Sequence, residues 1–162
     1  MTVPHVDAAT LQPYITRQKS IVETCARAWN VNAIHLTGNY CPADALFVRA
    51  GCVVAVVEVK TRPTLTLAGL RGFTDPPGYL VTFDKLVAGR KIARQFGAPY
   101  VFVAELVDAL VWWLVADANG MWQARLGTAP TTTQATAAGG ETTRANAFLA
   151  LADMRVLVAV ND

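Results

Sequence analysis

The chain has 162 residues, 53% of them hydrophobic and only 16% charged, with a formal net charge of +2. That length is enough for one domain with a sizeable core and too short to expect two. No apolar run reaches the ~18 residues needed to cross a bilayer, and the small net charge is unevenly distributed along the chain.

In chain order, apolar residues at helical spacing (Ile21, Val22, Cys25, Ala28, Trp29) predict a helix over about Leu11 to Trp29, with a break expected near Pro13. A first strand spans Ala33 to Thr37 and turns at Gly38-Asn39. Two strands joined by Ala50-Gly51 follow: Ala43 to Arg49 and Cys52 to Val59. Thr61 to Gly78, with Asp75-Pro76-Pro77-Gly78 near its end, reads as a mobile loop. A helix over Lys85 to Gln95 stops at Gly97, and a strand runs from Ala98 to Glu105. Leu110 to Ala116 is a strand, paired through Asn119-Gly120 with Met121 to Leu126, and Trp112, Trp113 and Trp122 should cluster around that hairpin. The Thr-, Ala- and Gly-rich stretch Gly127 to Thr143 reads as a loop, Ala145 to Ala152 as a short helix, and Met154 to Val160 as a last strand. The order predicts an α/β domain, a mixed central sheet flanked by helices, with a core over about 18–117 and an appended hairpin, loop and strand over 118–162.

Cys25, Cys41 and Cys52 are odd in number and lack CxxC spacing. They suggest a reducing, cytoplasmic setting rather than a disulfide framework or a zinc site. With only His5 and His35 available, a His/Cys metal cluster is not expected, and both histidines read as structural. Met1 to Thr16 lacks the basic start and apolar centre of a signal peptide.

The chemistry concentrates in the hairpin. Glu58 and Lys60 end an otherwise apolar strand and, two residues apart, point to the same face. Antiparallel pairing puts the start of the first strand, Asp44, beside the end of the second. Two carboxylates and a lysine then share one edge, a set suited to a hard divalent cation and to a water it activates.

Pro42-Ala43-Asp44, the hairpin and Glu58-Val59-Lys60 together resemble the PD-(D/E)XK nuclease superfamily, with the proline one residue further from the aspartate than in an adjacent Pro-Asp pair. Gly97 to Val103 resembles the helix-to-strand step of phage and resolvase-like members, so the likeness covers roughly Gln18 to Asp117. The resemblance implies a restriction-endonuclease-like core and a metal-dependent nuclease, most simply an endonuclease acting on DNA. It implies that Asp44, Glu58 and the Val59 carbonyl hold Mg²⁺ or Mn²⁺, and that Lys60 positions the attacking water. Glu23 matches a glutamate that such nucleases often carry on the preceding helix, facing the metal; the other reading is an exposed helix glutamate. A homodimer is expected, because two strands need two sites. The alternative is a non-catalytic nucleic-acid-binding or assembly module on the same fold.

Charge is unevenly spread. Residues 60–94 hold seven basic and two acidic residues, whereas residues 95–162 hold three basic and six acidic. The basic block, Lys60, Arg62, Arg71, Lys85, Arg90, Lys91 and Arg94, follows directly on the Glu-Xaa-Lys motif. Such a field suits a phosphate backbone, with Arg62, Lys85, Arg90 and Lys91 as the candidate contacts. The other reading is that Arg90, Lys91 and Arg94 form the solvated face of one helix.

Overall fold

In a computed structural model, residues 8–38, 41–74, 77–136 and 139–159 are described. The His5 reading, Asn39 of the first turn, Asp75 and Pro76 of the loop, and Val160 of the last strand fall outside them.

Helix α1 (Ala8–Ala28) is longer at its start than the sequence predicts, and Pro13 lies inside it without ending it. Its C-terminus is closed by Asn30 in the left-handed region (φ 53°). Val31 N–H donates to Ala26 O at 3.0 Å and Asn30 N–H to Arg27 O at 3.2 Å, so two orphan carbonyls are satisfied. Three strands follow: β1 (Asn32–His35), β2 (Ala45–Arg49) and β3 (Cys52–Thr61). Arg49 pairs with Cys52 across the two-residue turn Ala50-Gly51. Both turn residues have positive φ, 50° and 79°, the combination whose twist matches the flanking strands.

Residues 61–78 are not a plain loop. They contain a short helix, α2 (Leu67–Arg71), whose Gly69 N–H is capped by Thr66 Oγ1 at 3.0 Å. Leu67 N–H donates to Asp108 Oδ1 at 2.8 Å, and Leu70 is buried. These ties, distant in sequence, outweigh the Gly- and Pro-rich composition. Strand β4 (Tyr79–Thr82) leads directly into α3 (Phe83–Gln95). Gly97 ends α3 in the left-handed region (φ 59°), as expected.

Strands β5 (Tyr100–Glu105) and β6 (Ala109–Ala116) follow. The Asn119-Gly120 turn forms, with Gly120 N–H on Asp117 O, but no strand follows it; one isolated bridge, Ala116 to Trp122, stands in its place. The three tryptophans do not cluster. Successive residues on a strand face opposite ways, so Trp112 packs on Trp29 and Trp113 on Tyr79 and Phe102, while Trp122 stacks on Phe83.

The largest departure lies after residue 125. The expected loop and the expected helix are one long hairpin, β7 (Leu126–Thr136) and β8 (Gly139–Leu149). Threonine is β-branched and suits a pleated strand; a compositional reading hides this. The residues after β8 form only a 3-10 turn (Leu151–Asp153) before β9 (Arg155–Ala159).

Two sheets result. The larger runs β1-β2-β3-β5-β6-β9, with β3 and β5 parallel and the other neighbours antiparallel; the smaller is β4-β8-β7. One face of the large sheet (Phe47, Val57, Val59, Val101, Val103) packs on Ile21, Val22 and Cys25 of α1. The other (Val56, Tyr100, Phe102, Trp113) packs on Leu86 and Ala93 of α3 and on Tyr79 and Leu149 of the small sheet. The result is the α/β architecture that the sequence implies, helices flanking a mixed sheet. Among the described residues no helix is long and apolar enough to cross a membrane.

Candidate metal centre

Glu58 sits in the middle of the protein, 1% exposed. It falls there because β3 is the third of six strands and Glu58 lies opposite Phe102 of β5. Alternation then turns Glu58 and Lys60 to the α3 side, away from Val57 and Val59, which face α1. One carboxylate oxygen, Glu58 Oε1, receives Lys60 Nζ at 2.9 Å and Lys85 Nζ at 3.1 Å. Lys85 belongs to the first turn of α3, so a helix distant in sequence completes the cluster.

Asp44 stands just before β2. Its N–H donates to Val57 O at 2.9 Å, and its Oδ2 accepts from Val59 N–H at 2.7 Å. Val59 lies beyond the last β2–β3 pair, Ala45 with Val57, so the aspartate side chain takes the place that a further strand residue would fill. Burial first, and Glu58 second, push the Asp44 carboxyl above its usual range, although the Val59 N–H and the two lysines pull the other way. Lys60 shows the balance in reverse. Burial pulls its ammonium down, but Glu58 and then Asp44 outweigh it and the net shift is upward.

The carbonyl of Val59 is met by Gln18 Nε2 of α1 at 3.4 Å. Sequence reasoning missed Gln18: a neutral residue before a helix's apolar stripe carries no signal without knowing that α1 crosses the end of β3. Glu23 is not drawn to the carboxylate pair. Its Oε1 lies 2.6 Å from His35 Nε2, and His35 pairs with Ala45, the residue after Asp44.

The basic candidates divide. Lys85 is at the cluster. Arg62 is tied to β4, its Nε donating to Tyr79 Oη at 3.2 Å and its Nη2 to Leu80 O at 3.5 Å. Arg90 lies 4.4 Å over the Trp122 ring. Five residues on from Lys85, it is rotated by about 140° to the opposite flank of α3. Lys91 is exposed on the outer face.

Among the described residues no three His, Cys, Asp or Glu side chains come together. The donor set on offer is two carboxylates and one backbone carbonyl. All are hard oxygen donors, and their small number suits Mg²⁺ or Mn²⁺, which keep several waters.

Residues 16–160 match the model of the family described as "Phage putative PDDEXK endonuclease". No curated protein matches the chain. Among solved structures, the Holliday junction resolvase Hjc of Archaeoglobus fulgidus is similar, at 20% identity over 61% of this chain and 75% of that one, with a TM-score of 0.46.

Proposed function

Because the chain belongs to the phage PDDEXK endonuclease family, we propose that it is a divalent-metal-dependent endonuclease that hydrolyses phosphodiester bonds in DNA, with Asp44, Glu58, Val59 and Lys60 at its centre. One observation carries the reading. A fully buried carboxylate, Glu58, is held between two ammonium groups beside a second carboxylate, Asp44. For stability alone such a cluster is a poor choice, because desolvating charges is costly and apolar residues of similar volume serve as well or better. Grouped charges in a core are what a reaction needs.

Asp44, Glu58 and the Val59 carbonyl would hold Mg²⁺ or Mn²⁺, which when bound lowers the pKa of a water and neutralises charge developing on phosphate. The remaining work belongs to the chain. Asp44 is pinned by the Val59 N–H, so its free oxygen has one direction to offer. Lys60 remains an ammonium, because its carboxylate neighbours hold its proton. It therefore acts as a donor and a fixed positive charge toward a phosphate oxygen or the attacking water. Lys85 is half exposed and can swing from Glu58 to an incoming phosphate. Each protomer carries one such centre, so cutting both strands of a duplex takes two copies, which supports a homodimer on the substrate.

The test is cleavage of linear duplex, single-stranded and branched DNA with Mg²⁺ or Mn²⁺, for the wild type and for Glu58→Gln. Cleavage that the substitution abolishes is expected. No cleavage of any substrate with either metal, or cleavage untouched by Glu58→Gln, would overturn the reading; retained DNA binding without cleavage would leave a binding module on a nuclease fold.

A further inference from the structure

Tyr100 opens β5 directly opposite Val56 of β3, with Glu58 one step further along the same face. The residue is fully buried, and its hydroxyl has no hydrogen-bond partner among the described residues. An orphaned phenol in a core costs about 1–3 kcal/mol, and a phenylalanine would avoid it. The ring does not lie there by default. It fills a notch in α3 that only glycine provides: a Cβ at Gly89 would stand 2.2 Å from Tyr100 Cζ and 2.5 Å from its oxygen. Gly89 is one helical turn from Lys85, on the same face of α3. The seat of Tyr100 therefore sets where α3 rests on the sheet, and so where Lys85 meets Glu58. Burial first, then the charges of Glu58 and Asp44, raise the phenol pKa well above its usual value. Tyr100 thus stays a neutral O–H donor on the face of the sheet that carries Glu58. Each carboxylate has one oxygen committed, Asp44 Oδ2 to Val59 N–H and Glu58 Oε1 to the two lysines, and each has a second oxygen able to accept.

We propose that Tyr100 is a positioning residue of the metal centre: its hydroxyl donates to the Asp44–Glu58 carboxylate pair through one bridging water and fixes the orientation in which the pair meets the metal. The proposal rests on the reading of that pair as the metal site. Groups that orient ligands from behind in this way change metal affinity by about 10- to 100-fold when removed.

The variant is Tyr100→Phe, which keeps the ring in the Gly89 notch and removes only the hydroxyl. Two measurements are made on the whole chain. In the metal-free protein, the side-chain carboxyl carbon resonances of Asp44 and Glu58 are compared by NMR. In titrations with MnCl₂ and MgCl₂, affinity is read by calorimetry. Tyr100→Phe is expected to shift at least one of the two carboxyl resonances and to weaken metal binding about 10-fold or more. Resonances identical to wild type overturn the proposal, whatever the metal does, because a packing role alone leaves the carboxylates untouched. A wild type that binds neither metal sinks the metal-centre reading instead, and the carboxyl resonances still decide whether Tyr100 orients the pair.

Discussion

Lys60 and Lys85 reach the same atom, Oε1 of Glu58, at 2.9 and 3.1 Å. One comes from the strand that carries Glu58, the other from the start of a helix 27 residues away in sequence. Glu58 is therefore the junction between β3 and α3, and the cluster is as rigid as the contact between those two elements. Arrangements of this kind trade stability for function, and the trade can be measured at each of its members.

Asp44→Asn should raise the melting temperature of the metal-free protein at pH 7. The Asp44 carboxyl is pushed up by burial and then by Glu58. A raised folded-state pKa means that the stabilising contribution is fully present below the unfolded value, near 3.8, and is lost as pH rises through the folded one. At neutral pH the ionised wild type has lost it. Asparagine cannot ionise, and its amide oxygen can still accept from Val59 N–H. The gain should shrink as the pH is lowered toward 3.8. Paired with Glu58→Gln, the same substitution should abolish any stabilisation by Mg²⁺ or Mn²⁺. A metal-induced rise in melting temperature that survives the double change would place the metal elsewhere.

Lys60→Ala should leave metal affinity within a few-fold and slow DNA hydrolysis by about 10²-fold or more, the usual consequence of removing one electrostatic group aimed at the transition state. Its raised pKa keeps it charged throughout the neutral range. The stability that it contributes is present below 10.5 and is lost only as pH rises past the folded value above that. Activity should therefore show no loss near neutral pH that depends on Lys60. Single-turnover rates for wild type and variant, measured from pH 6 to 9, test both statements together.

Much of this site is legible in the sequence because its two anchors are local. Asp44, the Ala50-Gly51 turn and Glu58-Val59-Lys60 belong to one hairpin, and alternation along a strand settles which side chains share a face. Contributions from outside the hairpin are not visible there. Lys85, at the start of its helix, reads as a phosphate contact on the active-site side, but its ion pair with Glu58 depends on how α3 lies over the sheet. Gln18 carries no signal at all, and nothing local shows that Glu23 meets His35. The fold divides the same way. The helix ending at Gly97 and the strand after it follow from local signals. The β7–β8 hairpin does not, because its threonine-rich composition resembles a loop, and its strand character comes from pairing with a partner, as with Leu126 opposite Leu149.

Of Lys85, Arg90 and Lys91 on α3, only Lys85 should, when changed to Ala, alter how DNA binding responds to salt. Removing one cation that neutralises a phosphate lowers the log–log slope by about 0.9 for duplex DNA. Arg90 is engaged over Trp122 on the far flank, and Lys91 lies on the outer face. Arg90→Ala and Lys91→Ala should match wild type. Fluorescence anisotropy with a labelled duplex across a salt series decides it. A slope change for Arg90 or Lys91 as large as that for Lys85 would mean that the DNA runs along the whole helix.

Ala50→Gly should stabilise the protein. Ala50 has φ 50°, a conformation that costs a residue with a Cβ about 1 kcal/mol or more, whereas glycine adopts it freely. The larger conformational entropy of glycine in the unfolded chain returns part of that gain, so the net effect should be under about 1 kcal/mol. Urea denaturation resolves it, and a loss of stability would show that the hairpin does not need this turn geometry.

Gly89→Ala sets two effects against each other. Alanine is favoured over glycine inside a helix by about 1 kcal/mol. Its Cβ, however, would stand 2.2 Å from Tyr100 Cζ, closer than any real contact, and overpacking of a filled core costs about 1–3 kcal/mol. The clash should win, because the Tyr100 ring is fully buried and has nowhere to retreat. α3 would have to lift, and Lys85, one turn away, would lift with it from Glu58. Gly89→Ala should therefore lower both stability and the rate of DNA hydrolysis. Tyr100→Phe should not rescue it, since Cζ remains in place, whereas Tyr100→Leu, which empties the notch, should recover much of the stability. A double-mutant cycle by chemical denaturation reads the coupling directly. Additive free energies for Gly89→Ala and Tyr100→Leu would mean that the notch does not seat the helix.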